Sequence, residues 1–407
     1  MRAMATAATT FAAGSRESAR APSANLGPAT VAGLVIAFAA IYLTASVSGR
    51  QASLFLVGVA AGLVLYQAAF GFTSSWREMV TDGRGEGIRA QMLMLALTTL
   101  VFFPVLARGQ VFGQVVRGSI SPVGVSVIVG AFLFGVGMQL GGGCASGTLY
   151  TAGGGNTRML VTLAAFIAGS VIGTAHMPWW SATPAFKATS LVTTAGLVPG
   201  LAISLTLFGL ITLATIAIER RRRGQIDGGT LRRPRRMHVL GGPWPLAAGA
   251  IGLALVNIAT LFISGRPWGV TGAFALWGAK ALDAAGVNVQ AWPYWAAPAQ
   301  TAALRGRIAA DITSVMDIGI VLGAMAAAGL AGRFAPSWRL SARSALTAAI
   351  GGLLLGYGAR IAYGCNIGAY FSGIASGSAH GWLWLVAAFT GSAAGTRLRT
   401  TLEPGQT

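Results

Sequence analysis

The stretch GAFLFGVGMQLGGGCASGTLYTAGGGN (Gly130–Asn156) decides the fold, because it returns later in the chain as GGLLLGYGARIAYGCNIGAYFSGIASG (Gly351–Gly377). Gly130, Gly135, Gly137, Cys144 and Gly147 fall on Gly351, Gly356, Gly358, Cys365 and Gly368 at one constant offset, without a gap. A slip of one residue then aligns GSVIGT (Gly169–Thr174) with GSAAGT (Gly391–Thr396). Cys144 and Cys365, the only two cysteines, therefore hold the same place in two copies of one unit. A duplicated membrane unit builds its substrate site where the copies meet, near the bilayer midplane, so both thiols are expected to face one pathway. A thiol there is a soft sulfur ligand.

Composition sets the surroundings. Of 407 residues 54% are apolar and 10% charged, and long charge-free runs recur, the pattern of an all-α polytopic membrane protein. The expected spans are Pro28 to Val47, Ala52 to Phe72, Ala90 to Leu106, Val123 to Leu140, Leu160 to His176, Leu197 to Ile218, Pro243 to Ile263, Asp311 to Leu330, Ala345 to Tyr363 and Trp382 to Thr396. About eight to eleven crossing elements are predicted, several of them short or broken. Gly269 to Leu282 is too short to span comfortably and reads as re-entrant or interfacial.

The formal charge of +19 lies in arginines scattered between apolar spans, and no nucleic-acid module accompanies it. The densest cluster, ERRRRGQIDGGTLRRPRR (Glu219–Arg236), reads as a cytoplasmic linker between the copies by the positive-inside rule. The expected organisation is a disordered tail over 1–27, a first transmembrane repeat over 28–218, the basic linker over 219–240, a second repeat over 241–400 and a short tail over 401–407. Arginines in the first tail favour an inside N-terminus, whereas inverted repeats joined by an inside linker place it outside, so orientation stays open.

Glycine as dense as that around each cysteine breaks a helix in hydrocarbon, and broken backbone at membrane depth is tolerated only in a protein-lined cavity. Each segment is therefore expected to hold short helices meeting at its cysteine. Inward-pointing helix N-termini carry partial positive charge and free N–H donors, which suits an anion; the alternative is glycine that merely lets helices pack closely. Beside the thiols, the candidate path residues are Gly143, Ser146, Gly364 and Asn366 at the breaks, Gln139 and its counterpart Arg360 about one turn earlier, and Asn156 after the first break. Intramembrane polar groups usually face an interior pathway, although Arg360 could equally snorkel at a helix end. Asp311 and Asp317 read as partners that neutralise a neighbour such as an arginine, with a proton relay as the alternative. Trp179, Trp180, Trp268, Trp292, Tyr294, Trp295, Trp382 and Trp384 are expected in interfacial belts.

Other chemistries are less favoured. A Cys144–Cys365 disulfide would need α-carbons within about 7 Å. Zinc would need about four ligands, and His176, His238 and His380 cluster near neither thiol. No P-loop and no cofactor motif is visible, so no cofactor is expected.

GMQLGGGCASGTLYTAGGGN (Gly137–Asn156) and GARIAYGCNIGAYFSGIASGSAHGWLW (Gly358–Trp384) resemble the two signature cysteine motifs of the YeeE/YedE family of sulfur-compound transporters, and GFTSSWREMVTDGRGEGIRAQMLMLAL (Gly71–Leu97) resembles that family's loop and following helix. The resemblance implies two inverted halves, hourglass-like, with short helices meeting at a central constriction that Cys144 and Cys365 line. It also implies uptake of thiosulfate across a bacterial inner membrane. Some thiosulfate-transporting relatives carry a third cysteine, which the turn Gly71 to Ser75 lacks. Sulfite or a selenium compound as the cargo, a cytoplasmic sulfur-carrier protein docked at the basic face, and a sulfur-transfer enzyme holding a cysteine persulfide are further readings.

Overall fold

The computed structural model describes residues 25–226, 242–336, 338 and 340–402. The first run of helices is α1 (Leu26–Ser46), α2 (Gly49–Gln67), α3 (Phe72–Thr81), α4 (Glu86–Arg108), α5 (Val125–Gly141), α6 (Ala145–Gly153) and α7 (Arg158–Ser181). Then come α8 (Leu191–Thr194) and α9 (Leu197–Arg223). The second run is α10 (Leu246–Ser264), α11 (Thr271–Ala284), α12 (Pro293–Ala296), α13 (Pro298–Arg305), α14 (Ile312–Leu330), α15 (Ala342–Ile361), a π-helix over Asn366–Phe371, α16 (Ser372–Ala375) and α17 (Ala379–Leu402). Among the described residues strand is confined to two antiparallel pairs of two-residue strands. Among the described residues nine helical stretches are long and apolar enough to cross a membrane, and the protein is an all-α, multi-pass membrane protein. Helices α1 and α9 lie at the perimeter, with Phe38, Ile41, Val198 and Leu213 exposed as lipid-facing side chains would be.

Several boundaries differ from the sequence reading. The span expected to end at Phe72 stops at Gln67, because Ala69 turns the chain through a left-handed conformation (φ 46°) and α3 starts afresh at Phe72. Helix α9 runs on through Glu219 to Arg223, so the start of the expected linker is helical. The carboxylate of Glu219, fully buried, accepts a 2.6 Å hydrogen bond from Arg89 of α4, which pins that end down. Leu26 and Gly27 belong to α1, and α17 reaches Leu402. The expected tail over 1–24, the linker core over 227–241, which includes His238, and residues 403–407 lie outside the described residues.

The glycines that carry the repeat also carry the packing. A Cβ added at Gly135 of α5 would sit 2.7 Å from Ser392 N and 2.9 Å from Gly391 C of α17. One added at its counterpart Gly356 of α15 would sit 2.5 Å from Ser170 N and 2.9 Å from Gly169 C of α7. Helices α5 and α15 cross each other through the same residues: Gly130 lies against Gly358, and Gly137 against Gly351. Each copy thus meets the other with equivalent atoms. Because the contact climbs α5 as it descends α15, the two equivalent helices run antiparallel.

Candidate functional site

Each cysteine sits where a long helix stops and a short one begins. Helix α5 ends at Gly142 in the left-handed region (φ 85°), and Cys144 then caps α6, its Sγ accepting from Gly147 N at 3.4 Å. In the second copy the equivalent of Gly142 is Tyr363, held left-handed at φ 59°, followed by Gly364 at φ 149°. Cys365 then faces the backbone N–H groups of Ile367 and Gly368 without closing a cap hydrogen bond. Both thiols are free, buried and part of one apolar core. The short helix α6 behind Cys144 touches the π-helix behind Cys365.

A cavity of about 100 Å³ opens beside Cys144, lined among others by Gly143, Gly147, Ser74, Arg77 and Tyr150. One water takes about 30 Å³ in the liquid, so a small oxyanion has room. Three kinds of group that favour such an ion converge here. The first turn of α6 presents the positive end of a helix, Arg77 supplies a guanidinium, and Cys144 supplies a soft thiol. The hydroxyl of Ser146 lies 3.6 Å from the Cys144 sulfur. Gly71 to Ser74 line the same cavity.

The remaining expected path residues divide. Asn366 is fully buried, and neither its amide oxygen nor its nitrogen has a hydrogen-bond partner among the described residues. Gln139 is a brace: its amide nitrogen donates to Thr73 O at 3.1 Å and Ser392 Oγ at 2.8 Å, tying α5 to α3 and α17. Its counterpart Arg360 braces the second copy, donating to Tyr294 Oη and Thr271 O, both at 2.9 Å, with its guanidinium 5.5 Å from the Tyr294 ring centre. Asn156 is exposed in the turn before α7, its backbone N–H donating to Thr151 O at 3.1 Å. Among the described residues no group of three or more His, Cys, Asp or Glu could hold a metal ion.

Three features escaped the sequence reading. Arg77 was legible only as part of the Gly71–Leu97 stretch; nothing in its spacing tied it to a cysteine. Trp384, Trp268 and Trp295, expected in interfacial belts, are buried. Trp384 donates to Gly364 O at 3.2 Å and stacks on Tyr370 with 6.4 Å between ring centres, so it buttresses the second break. Asp317, expected to neutralise a neighbour, is buried with both carboxylate oxygens unpartnered among the described residues.

A family model described as sulphur transport matches residues 67–394. The "Probable transporter YedE" of Escherichia coli strain K12 is 33% identical over 154 residues, which cover 38% of this chain and 37% of that relative. The "Thiosulfate transporter TsuA" of Spirochaeta thermophila is 27% identical over 344 residues, 81% of this chain and 92% of the relative. The protein of the same name from Escherichia coli is 24% identical over 345 residues, 81% of this chain and 89% of the relative. The glycine-broken cysteine segments and the helices around them fall within the matched span, and the chain belongs to the sulphur transport family.

Proposed function

We propose that this protein takes up thiosulfate, or a closely related sulfur-bearing anion, across the bacterial inner membrane through a pathway lined by Cys144 and Cys365. The observation that carries this reading is the convergence of Arg77, the N-terminus of α6 and the Cys144 thiol on one cavity. Thiosulfate is a dianion with one soft terminal sulfur. Its oxygens accept hydrogen bonds from Arg77 and helix-end N–H groups, while a thiol contacts the sulfur, which distinguishes it from sulfate. Two thiols at equivalent breaks give two staged resting places, and staged weak binding is what passage requires. Gly143, Ser146, Gly364 and Asn366 shape the two stages; Gln139 and Arg360 hold the helices that carry them. The chain consists of two inverted halves, a reading that the antiparallel crossing of α5 and α15 supports.

The cysteines act as ligands rather than nucleophiles in this scheme, and the side chain that Cys144 meets is the Ser146 hydroxyl, at 3.6 Å. A cytoplasmic sulfur-carrier protein that receives the cargo would meet the basic end of α9, Arg220 to Arg223. Competition for radiolabelled thiosulfate uptake in proteoliposomes tests the substrate class. Excess unlabelled thiosulfate should abolish uptake and sulfate should leave it intact. Equal competition by sulfate would remove sulfur softness as the basis of selection, and stronger competition by sulfite or a selenium oxyanion would reassign the cargo.

A further inference from the structure

Asp317 lies within α14, fully buried. Helical spacing sets it on the strip that holds Thr313, Ser314, Val321 and Ala324. The contacts of that strip are known: Ser314 Oγ accepts from Trp277 Nε1 of α11 at 2.9 Å, and Val321 and Ala324 lie against Gly153 of α6. The carboxyl therefore sits where α14 passes from α11 to the short helix behind Cys144. The titratable groups on the elements packed against α14 are Tyr42 of α1, Arg50 and Tyr66 of α2, Tyr150 of α6, and Lys280 and Asp283 of α11. None of them bonds to Asp317, and the Lys280 ammonium is occupied by the carbonyls of Leu304 and Gly306, both at 2.6 Å. Asp311 and the Cys365 thiol also lie near it, and Arg266, from the segment before α11, donates to Thr313 Oγ1 one turn away on the same strip at 3.4 Å. Asp311, half-buried, caps α14 by accepting from Ser314 N at 2.7 Å. It lies about 9 Å along the helix from Asp317 at ~1.5 Å per residue.

We propose that Asp317 carries a proton that accompanies the anion, so that uptake is proton-coupled; this rests on the anion-uptake reading above. An intramembrane carboxyl with no partner is costly as a carboxylate, and such residues mark ion or proton pathways. A dianion arriving at the cysteines favours the protonated form of this carboxyl, and linkage makes the preference mutual: the protonated protein binds the anion more tightly. The proton enters from water by way of Asp311, rests on Asp317 while the anion is bound, and leaves to water on the other face as the anion departs. Only O–H bonds form and break. The gain is electrical, since an inside-negative potential opposes a dianion and each accompanying proton offsets one charge.

Proteoliposomes with a pH-sensitive dye in the lumen test this. For the wild type, thiosulfate entry should acidify the lumen, and each pH unit of inward gradient should raise accumulation about tenfold per coupled proton. Asp317→Asn should keep thiosulfate counterflow between equal pools yet lose both acidification and gradient-driven accumulation, while Asp317→Glu should retain them. Wild-type thiosulfate entry without proton movement overturns the proposal, as does an Asp317→Asn protein that still couples. Loss of counterflow in Asp317→Asn makes the residue structural and overturns it as well. A wild type that moves no thiosulfate at all fails the uptake reading itself, a separate result.

Discussion

Cys144 and Cys365 are each the last extended residue before a short helix, and that position, more than their sulfur alone, fits them to meet an anion. A helix N-terminus holds its free N–H groups within a turn of the cap, so a ligand reaching either thiol also reaches those donors. Arg77 adds a full positive charge at the first cavity. Charge-assisted hydrogen bonds contribute about 1.5–3 kcal/mol, so Arg77→Gln should weaken thiosulfate binding roughly tenfold to a hundredfold, measured by calorimetry on purified protein; unchanged affinity would remove Arg77 from the site. The two cysteines and their glycines were legible in the sequence because the duplication marks them, whereas Asn366, whose counterpart is Ala145, stood out only as a polar residue beside a break. Arg77 was not, because its partner position in the second copy is Pro298, so the repeat says nothing about it. Trp384 misled because its distance from a span end is visible in sequence while the rotation that turns its ring inward is not.

At the scale of elements, the crossings of α5 with α17 and of α15 with α7 depend on Gly135 and Gly356, where backbone approaches backbone. A methyl group there has no flexible neighbour to displace. Overpacking costs about 1–3 kcal/mol, so Gly135→Ala and Gly356→Ala should each lower the melting temperature of the detergent-solubilised protein, and by similar amounts because their surroundings are copies. A large loss for one and none for the other would break the equivalence. The breaks themselves are not identical. Gly142 takes its left-handed turn without steric cost, whereas Tyr363 bears a side chain there, a conformation that costs about 1–2 kcal/mol. The spans and their breaks could be read from apolar runs and glycine. The π-helix after Cys365 and the fresh start of α3 could not, since both arise from local backbone turns that hydropathy does not register.

For the whole molecule, the decisive relation is the exchange in which each copy supplies the surface the other needs. Helix α7 packs on α15 as α17 packs on α5, and α1 packs on α14 as α10 packs on α4. Such an arrangement puts both cysteine breaks in one apolar core, and in the pathway proposed above a ligand crossing the protein would meet both in turn. The repeat in the sequence announced that there were two copies; their interlocking emerges only from the fold, because helix ends and faces must be placed before partners can be assigned. Moving a dianion inward against 100 mV costs about 2.3 kcal/mol for each charge, so a pathway of this kind needs well-placed stages more than one deep site. Uptake of radiolabelled thiosulfate by proteoliposomes bearing the Cys144→Ala or the Cys365→Ala variant tests the two-stage pathway most directly. Either substitution alone should abolish uptake, with Cys→Ser retaining at most a fraction, and full uptake by both alanine variants would contradict the account.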